Sequence, residues 1–183
     1  MRITDPRALR AMAHSLRLDL IELLATAGPA TAAECARHLD STQASCSYHL
    51  RQLAKYGLVE RADPRDDGRE RPWRLVDIEQ SWTSENPAAK QLEQVFVQRE
   101  ADRILCWQAS RDQQPEPWRE AGFLGGATLP LTAAELASIR TQLAAVIEPY
   151  LARITDRSAR PAHYRFVRIL LAGTPANTDP EET

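Results

Sequence analysis

Apolar residues recur along the first third of this chain at helical intervals. Leu16, Leu20, Leu23, Leu24 and Ala27 repeat every three or four positions, which predicts a helix from Ser15 to Ala27. Gly28-Pro29 ends it. A shorter helix over 5–13 precedes it, with Asp5 as cap and Pro6 at the tolerated first position. Thr31 and Glu34 have the spacing of a capping box, so another short helix runs to Leu39. Asp40-Ser41 is then a turn, with Ser41 as a second helix cap. The next helix spans Thr42 to Tyr56, and Gly57 supplies the left-handed residue after its end. Two short strands follow, 59–62 and 71–76, around the turn signal Asp67-Gly68.

Beyond residue 85 the pattern changes. A helix is predicted from Pro87 to Arg111, with apolar residues on two faces: Leu92 and Phe96, then Val97, Ala101, Ile104 and Leu105. Residues 122–130 have the look of a strand. Thr132 and Glu135 form another capping box, opening a helix to about Arg153. Residues 164–171 are predicted as a buried final strand, and 173–183 as a disordered tail. The expected fold is mainly α with small β: a winged helix-turn-helix over 1–80, then a long dimerisation helix and a C-terminal α/β element over 85–172.

The helix from Thr42 carries the informative chemistry. Cys46, Leu50, Leu53 and Gly57 fall on one stripe and point inward. Ala44, Tyr48, Arg51 and Lys55 fall on another, with Gln43 and Ser47 beside them and no acidic residue. Amides, hydroxyls and cations on one helix face are the groups that meet base edges and phosphates in a major groove. A short capped helix, a tight turn and then such a helix is the helix-turn-helix arrangement. Gln43, Ser47 and Tyr48 are the candidates for base contacts. Arg51, Lys55 and the hairpin arginines Arg65, Arg69 and Arg71 are the candidates for phosphates or the minor groove.

The segment Thr42–Glu60, with its Thr-Gln start, Ser47-Tyr48-His49-Leu50 core and Gly57-Leu58-Val59 end, resembles the recognition helix and first wing strand of the ArsR-type winged helix-turn-helix repressors. His14 to Leu24 resembles that family's second helix, and the similarity covers residues 5–80. The resemblance implies that Thr42, Gln43, Ala44, Ser47 and Tyr48 occupy the positions that meet DNA. It also implies a homodimer that reads two half-sites of double-stranded DNA, with repression as the mode.

Composition and charge sharpen these expectations. With 183 residues, 43% of them hydrophobic and 26% charged, the chain can bury a core. The formal net charge of −2 excludes a globally basic nucleic-acid coat. Locally the balance differs: Thr42 to Arg74 holds seven basic and five acidic residues. No stretch is long and apolar enough to span a bilayer and no secretory signal opens the chain, so a cytoplasmic protein without membrane contact is expected. Three widely spaced cysteines, Cys35, Cys46 and Cys106, suit a reducing compartment.

Other functions are weaker. Cys35 with His38, and Cys46 with His49, stand at metal-ligand spacing, but the family's Cys-x-Cys pair is absent from Glu34–Arg37 and no histidine lies in 87–111. No metal and no cofactor is expected. Gly125-Gly126 lacks the rest of a phosphate loop and no nucleophile elbow occurs, so no catalytic residue is assigned and an enzyme is not expected. Two alternatives stand beside the repressor. One is a metal- or small-molecule-sensing form with an effector pocket in the C-terminal region, for which Trp82, Trp107, Trp118, Phe123 and Tyr150 are the aromatics available. The other is a winged helix used for protein contact.

Overall fold

The computed structural model describes residues 2–63, 71–78, 81–82 and 86–176. Its elements are α1 (Pro6–Met12), α2 (Ser15–Ala27), α3 (Ala32–His38), α4 (Gln43–Lys55), β1 (Val59–Arg61), β2 (Trp73–Leu75), α5 (Pro87–Ser110), α6 (Glu116–Ala121) and α7 (Ala133–Thr155). The fold is mostly helical with a small sheet, a winged helix-turn-helix followed by a long helix. The chain divides into two compact units, Met1–Gln108 and Ala109–Thr183.

In the first unit, local chemistry sets each helix start. The Asp5 carboxylate accepts from the Arg7 N–H at 2.8 Å, and Pro6 occupies the first helical position. His14 caps α2, its Nδ1 accepting from the Leu16 N–H at 3.2 Å. The Thr31–Glu34 capping box forms in both directions: the Glu34 N–H donates to Thr31 Oγ1 at 3.2 Å and the Thr31 N–H to Glu34 Oε2 at 2.7 Å. β1 and β2 pair antiparallel, with Glu60 opposite Arg74 and Arg61 opposite Trp73. Ala30 adds a further bridge to Trp73, through bonds of 3.0 and 2.7 Å. The wing is therefore fastened to the segment that leads into α3.

One core holds these elements together. Leu9, Met12, Leu20, Leu24, Cys35, Cys46, Leu50, Leu53, Leu58, Val59 and Trp73 are all buried in it. Each large apolar side chain so buried is worth about 1.5–3 kcal/mol. Ala88, Ala89 and Leu92 of α5 join the same core, which is why the first unit runs on past the wing.

Arg99 then ties α5 to α2. Only 8% of its side chain is exposed. Its Nε donates to Asp19 Oδ1 and its Nη2 to Glu22 Oε2, each at 2.7 Å, and its Nη1 lies 3.2 Å from Glu100 Oε1. Arg103 reaches the same Glu22 oxygen at 2.8 Å. Burial alone would lower the Arg99 pKa, but the hydrogen bonds to Glu22 and Asp19 outweigh it and raise it.

The second unit corrects the expectation of a C-terminal α/β element. Neither 122–130 nor 164–171 is a strand. A strand needs a neighbour's hydrogen-bond ladder, and none of the described residues supplies one to either segment. The final segment, expected to be buried, exposes Phe166, Val167 and Ile169. The short helix α6 was not expected, because Pro115 and Pro117 read as breakers; they stand at its start, where proline is tolerated. α7 forms with its Thr132–Glu135 capping box. Residues 173–176 are irregular, and the rest of the expected disordered tail, 177–183, lies outside the described residues. Among the described residues no helix is long and apolar enough to cross a membrane.

Candidate nucleic-acid interface

The turn between α3 and α4 is built by backbone geometry. Asp40 adopts a left-handed conformation, φ 46°, and the Ser41 N–H donates back to the Ala36 carbonyl at 3.0 Å. The helix cap is Thr42, not Ser41. Its Oγ1 accepts from the Ser45 N–H at 3.1 Å, while the Ser41 backbone is spent on closing α3.

α4 sorts its residues by face. Cys46, Leu50 and Leu53 are fully buried, and His49 joins them at 9% exposure. Gly57 does not belong to that stripe. The helix ends at Lys55, Gly57 turns at φ 68°, and Leu58 is the residue that folds inward. On the other face Thr42, Gln43, Ala44, Tyr48, Arg51 and Lys55 are exposed, and Ser47 is half-buried. Arg51 Nε donates to the Ser47 carbonyl at 3.2 Å, which lays its guanidinium along the helix surface. Lys55 Nζ lies 5.8 Å from the Tyr56 ring centre. The helix thus brings together seven of the ten sequence-derived candidates.

Of the wing candidates, Arg71 is exposed at the foot of β2, and Arg65 and Arg69 lie outside the described residues. The strand arginines are occupied within the protein. Arg61 stacks on Trp73 at 3.9 Å and donates to the Arg71 carbonyl. Arg74 pairs with Glu60 at 2.7 Å. The local positive excess is therefore smaller in effect than the residue count suggests.

Behind α4 lies a group that the sequence pattern did not reveal. The rings of His14 and His49 meet at a 45° tilt with centroids 4.4 Å apart, and Tyr48 meets His49 edge-on at 5.1 Å. Burial is the main cause lowering both histidine pKa values, with Arg17 adding to it. His14 caps α2 from the surface while His49 packs inside α4. Burial also lowers the Arg17 pKa, and the field of Tyr48 and Tyr56 opposes it. The available signal was that His14 and Arg17 are one helical turn apart.

Of the metal-spaced pairs, Cys35 and His38 separate, and Cys46 and His49 are both buried in the inner side of α4. Cys35 is buried while His38 is exposed, with its Nδ1 at 3.1 Å from the Glu34 carbonyl. Burial raises the Cys46 thiol pKa, as for a small core side chain. Among the described residues no group of three or more histidine, cysteine or acidic side chains forms a metal cluster. Of the aromatics, Trp82 packs edge-on to Phe96 beside the core, whereas Phe123 is 82% exposed. A groove of about 720 Å³ lies between the start of α2 and the middle of α5, lined by His14, Asp19, Gln98, Arg99, Asp102 and Cys106, among others.

No curated protein matches the chain. The family model for a helix-turn-helix domain matches residues 12–62, which span α2 through β1. The matched segment contains the α3–turn–α4 unit and the whole exposed face of α4. Residues 12–62 are a helix-turn-helix domain, the module of DNA-binding regulators, and the wing and α5 complete its core.

Proposed function

We propose that the protein is a homodimeric, cytoplasmic transcriptional repressor of ArsR type that acts without a metal and performs no catalysis. The observation that carries this reading is the outer face of α4. Six of its side chains are exposed, none is acidic, and the helix is capped at its start and anchored behind by a full apolar stripe. In a major groove Gln43, Ser47 and Tyr48 meet base edges, with Thr42 and Ala44 close beside them. Arg51, Lys55, Arg65, Arg69 and Arg71 meet phosphates or the minor groove. The exposed Val97 and Leu105 on α5 support self-association through that helix, together with the N-terminal helix.

Two substitutions test the assignment. Arg51→Ala should weaken binding to every sequence and lower the slope of log affinity against log salt by roughly one. Gln43→Ala should relax preference at one base position, by about 1–3 kcal/mol. Equal weakening of all sequences by Gln43→Ala would refute the base-reading role.

A small-molecule effector is the second reading, favoured by one feature. The groove between α2 and α5 has the volume of a ligand site and touches both the Arg99 cluster and His14, which caps α2. An effector that prefers one arrangement of α2 and α5 would shift the spacing of paired recognition helices.

A further inference from the structure

The second unit leaves many of its apolar residues exposed. None of the described side chains from 109 to 176 is buried. In α7 four accessible apolar positions fall on a line. Ile139, Leu143, Val146 and Tyr150 follow in steps of four, three and four, the seam spacing of paired helices. Val146 is 68% exposed, Tyr150 54% and Leu143 42%. Ile139 is half-buried, as are Leu136, Ile147 and Ile154 on the inner edge of the stripe.

The seam is symmetric about its own middle. Ile139 and Tyr150 are equally far from the point between Ala144 and Ala145, and so are Leu143 and Val146. Glu135 and Arg153 stand five turns apart, so they share one flank of the seam, and their midpoint is Ala144. Hydrogen bonds from the Thr132 backbone and hydroxyl hold the Glu135 carboxyl below its ordinary pKa, so it is ionised at neutral pH.

We propose that α7 is a self-association surface on which two copies of this chain pair antiparallel, about a twofold axis between Ala144 and Ala145. Leu143 then packs on Val146 of the second copy, and Ile139 on its Tyr150. Glu135 faces Arg153 of the second copy on the same flank. Only in the antiparallel form does a flank meet the same flank of the second copy, and there Glu135 and Arg153 are opposite in sign. The inference rests on the homodimer of the proposed function and gives it a contact separate from α5.

The test measures the dimer dissociation constant of the full chain by sedimentation, for the parent and for Val146→Glu and Val97→Glu. Val146 is exposed, so its substitution should leave the far-UV circular dichroism unchanged. Val146→Glu buries two new charges at the seam, and it should raise the dissociation constant by about 100-fold or more. Register is read separately, in a Cys106→Ser background where Cys35 and Cys46 are buried. A mixture of Leu143→Cys and Val146→Cys chains should form the mixed disulfide in preference to either self-pair. An unchanged dissociation constant for Val146→Glu overturns the inference, and loss of the dimer in Val97→Glu alone leaves only the α5 contact standing. Preferred self-pairs overturn the antiparallel form. A chain that stays monomeric at all concentrations overturns both this inference and the homodimer. Failure to bind DNA with α7 pairing intact overturns the regulator and leaves the surface in place.

Discussion

Replacing Arg99 with alanine should cost the first unit roughly 3 kcal/mol of stability. Removing one partner of a buried ion pair typically costs about 3–5 kcal/mol, because the other charge stays buried without compensation. The Glu100 side chain is 2% exposed and would lose its 3.2 Å contact with Arg99, while Arg103 stands 3.9 Å away. Asp19 and Glu22 are about one-third exposed and retain water and Arg103, which places the effect at the low end of that range. For a unit of this size, 1 kcal/mol moves the midpoint by about 4–8 °C, so a fall of roughly 12–24 °C is expected. Thermal melts and urea titrations at neutral pH measure it. The double variant Arg99→Met/Glu100→Leu should recover most of the loss, since apolar packing replaces buried pairs well. A loss under about 1 kcal/mol in Arg99→Ala would refute the claim that this cluster fastens α5 to α2.

The same cluster sets an acid dependence. Burial would raise the Glu22 pKa, but hydrogen bonds from Arg103 and Arg99 win and lower it. A carboxyl whose folded pKa is depressed contributes stability above its unfolded pKa and loses it as pH falls through the folded value. Arg99→Ala should therefore flatten stability against pH below the ordinary glutamate range.

Other substitutions probe the local geometry. Thr31→Ala removes a reciprocal cap and should cost about 0.5–2 kcal/mol in urea unfolding. Gly57→Ala meets no atom within 4 Å, but φ is 68°, so conformational strain alone should cost about 1–2 kcal/mol in the same assay. His14 and His49 have depressed folded pKa values, so the unfolded state binds protons first as pH falls below the ordinary histidine range. Stability should drop across that window, and His49→Gln should reduce the slope; NMR titration with both imidazoles at their ordinary pKa would contradict the close packing of the two rings.

What the sequence revealed here is what neighbouring residues decide among themselves. The two capping boxes need only four residues each, and Gly57 needs only the helix that precedes it. The faces of α4 follow from helical periodicity, so its exposed side is legible in the linear pattern. The Arg99 cluster is not, because its partners Asp19 and Glu22 lie 80 and 77 residues away. Nor is the His14–His49 ring contact, which depends on how α2 crosses α4. Local rules place the α4 cap at Ser41 as readily as at Thr42, because both hydroxyls satisfy them. Residues 122–130 and 164–171 have strand-like composition, but a strand also requires a partner, which a linear pattern does not supply.

The most direct test of the account is fluorescence anisotropy of the full chain with DNA from upstream of its own gene and with scrambled DNA, at two salt concentrations. A specific regulator should prefer the upstream DNA by about a thousandfold or more, and the preference should persist as salt rises. Weak binding that disappears equally on both DNAs with added salt would contradict sequence reading by α4, leaving only electrostatic attraction.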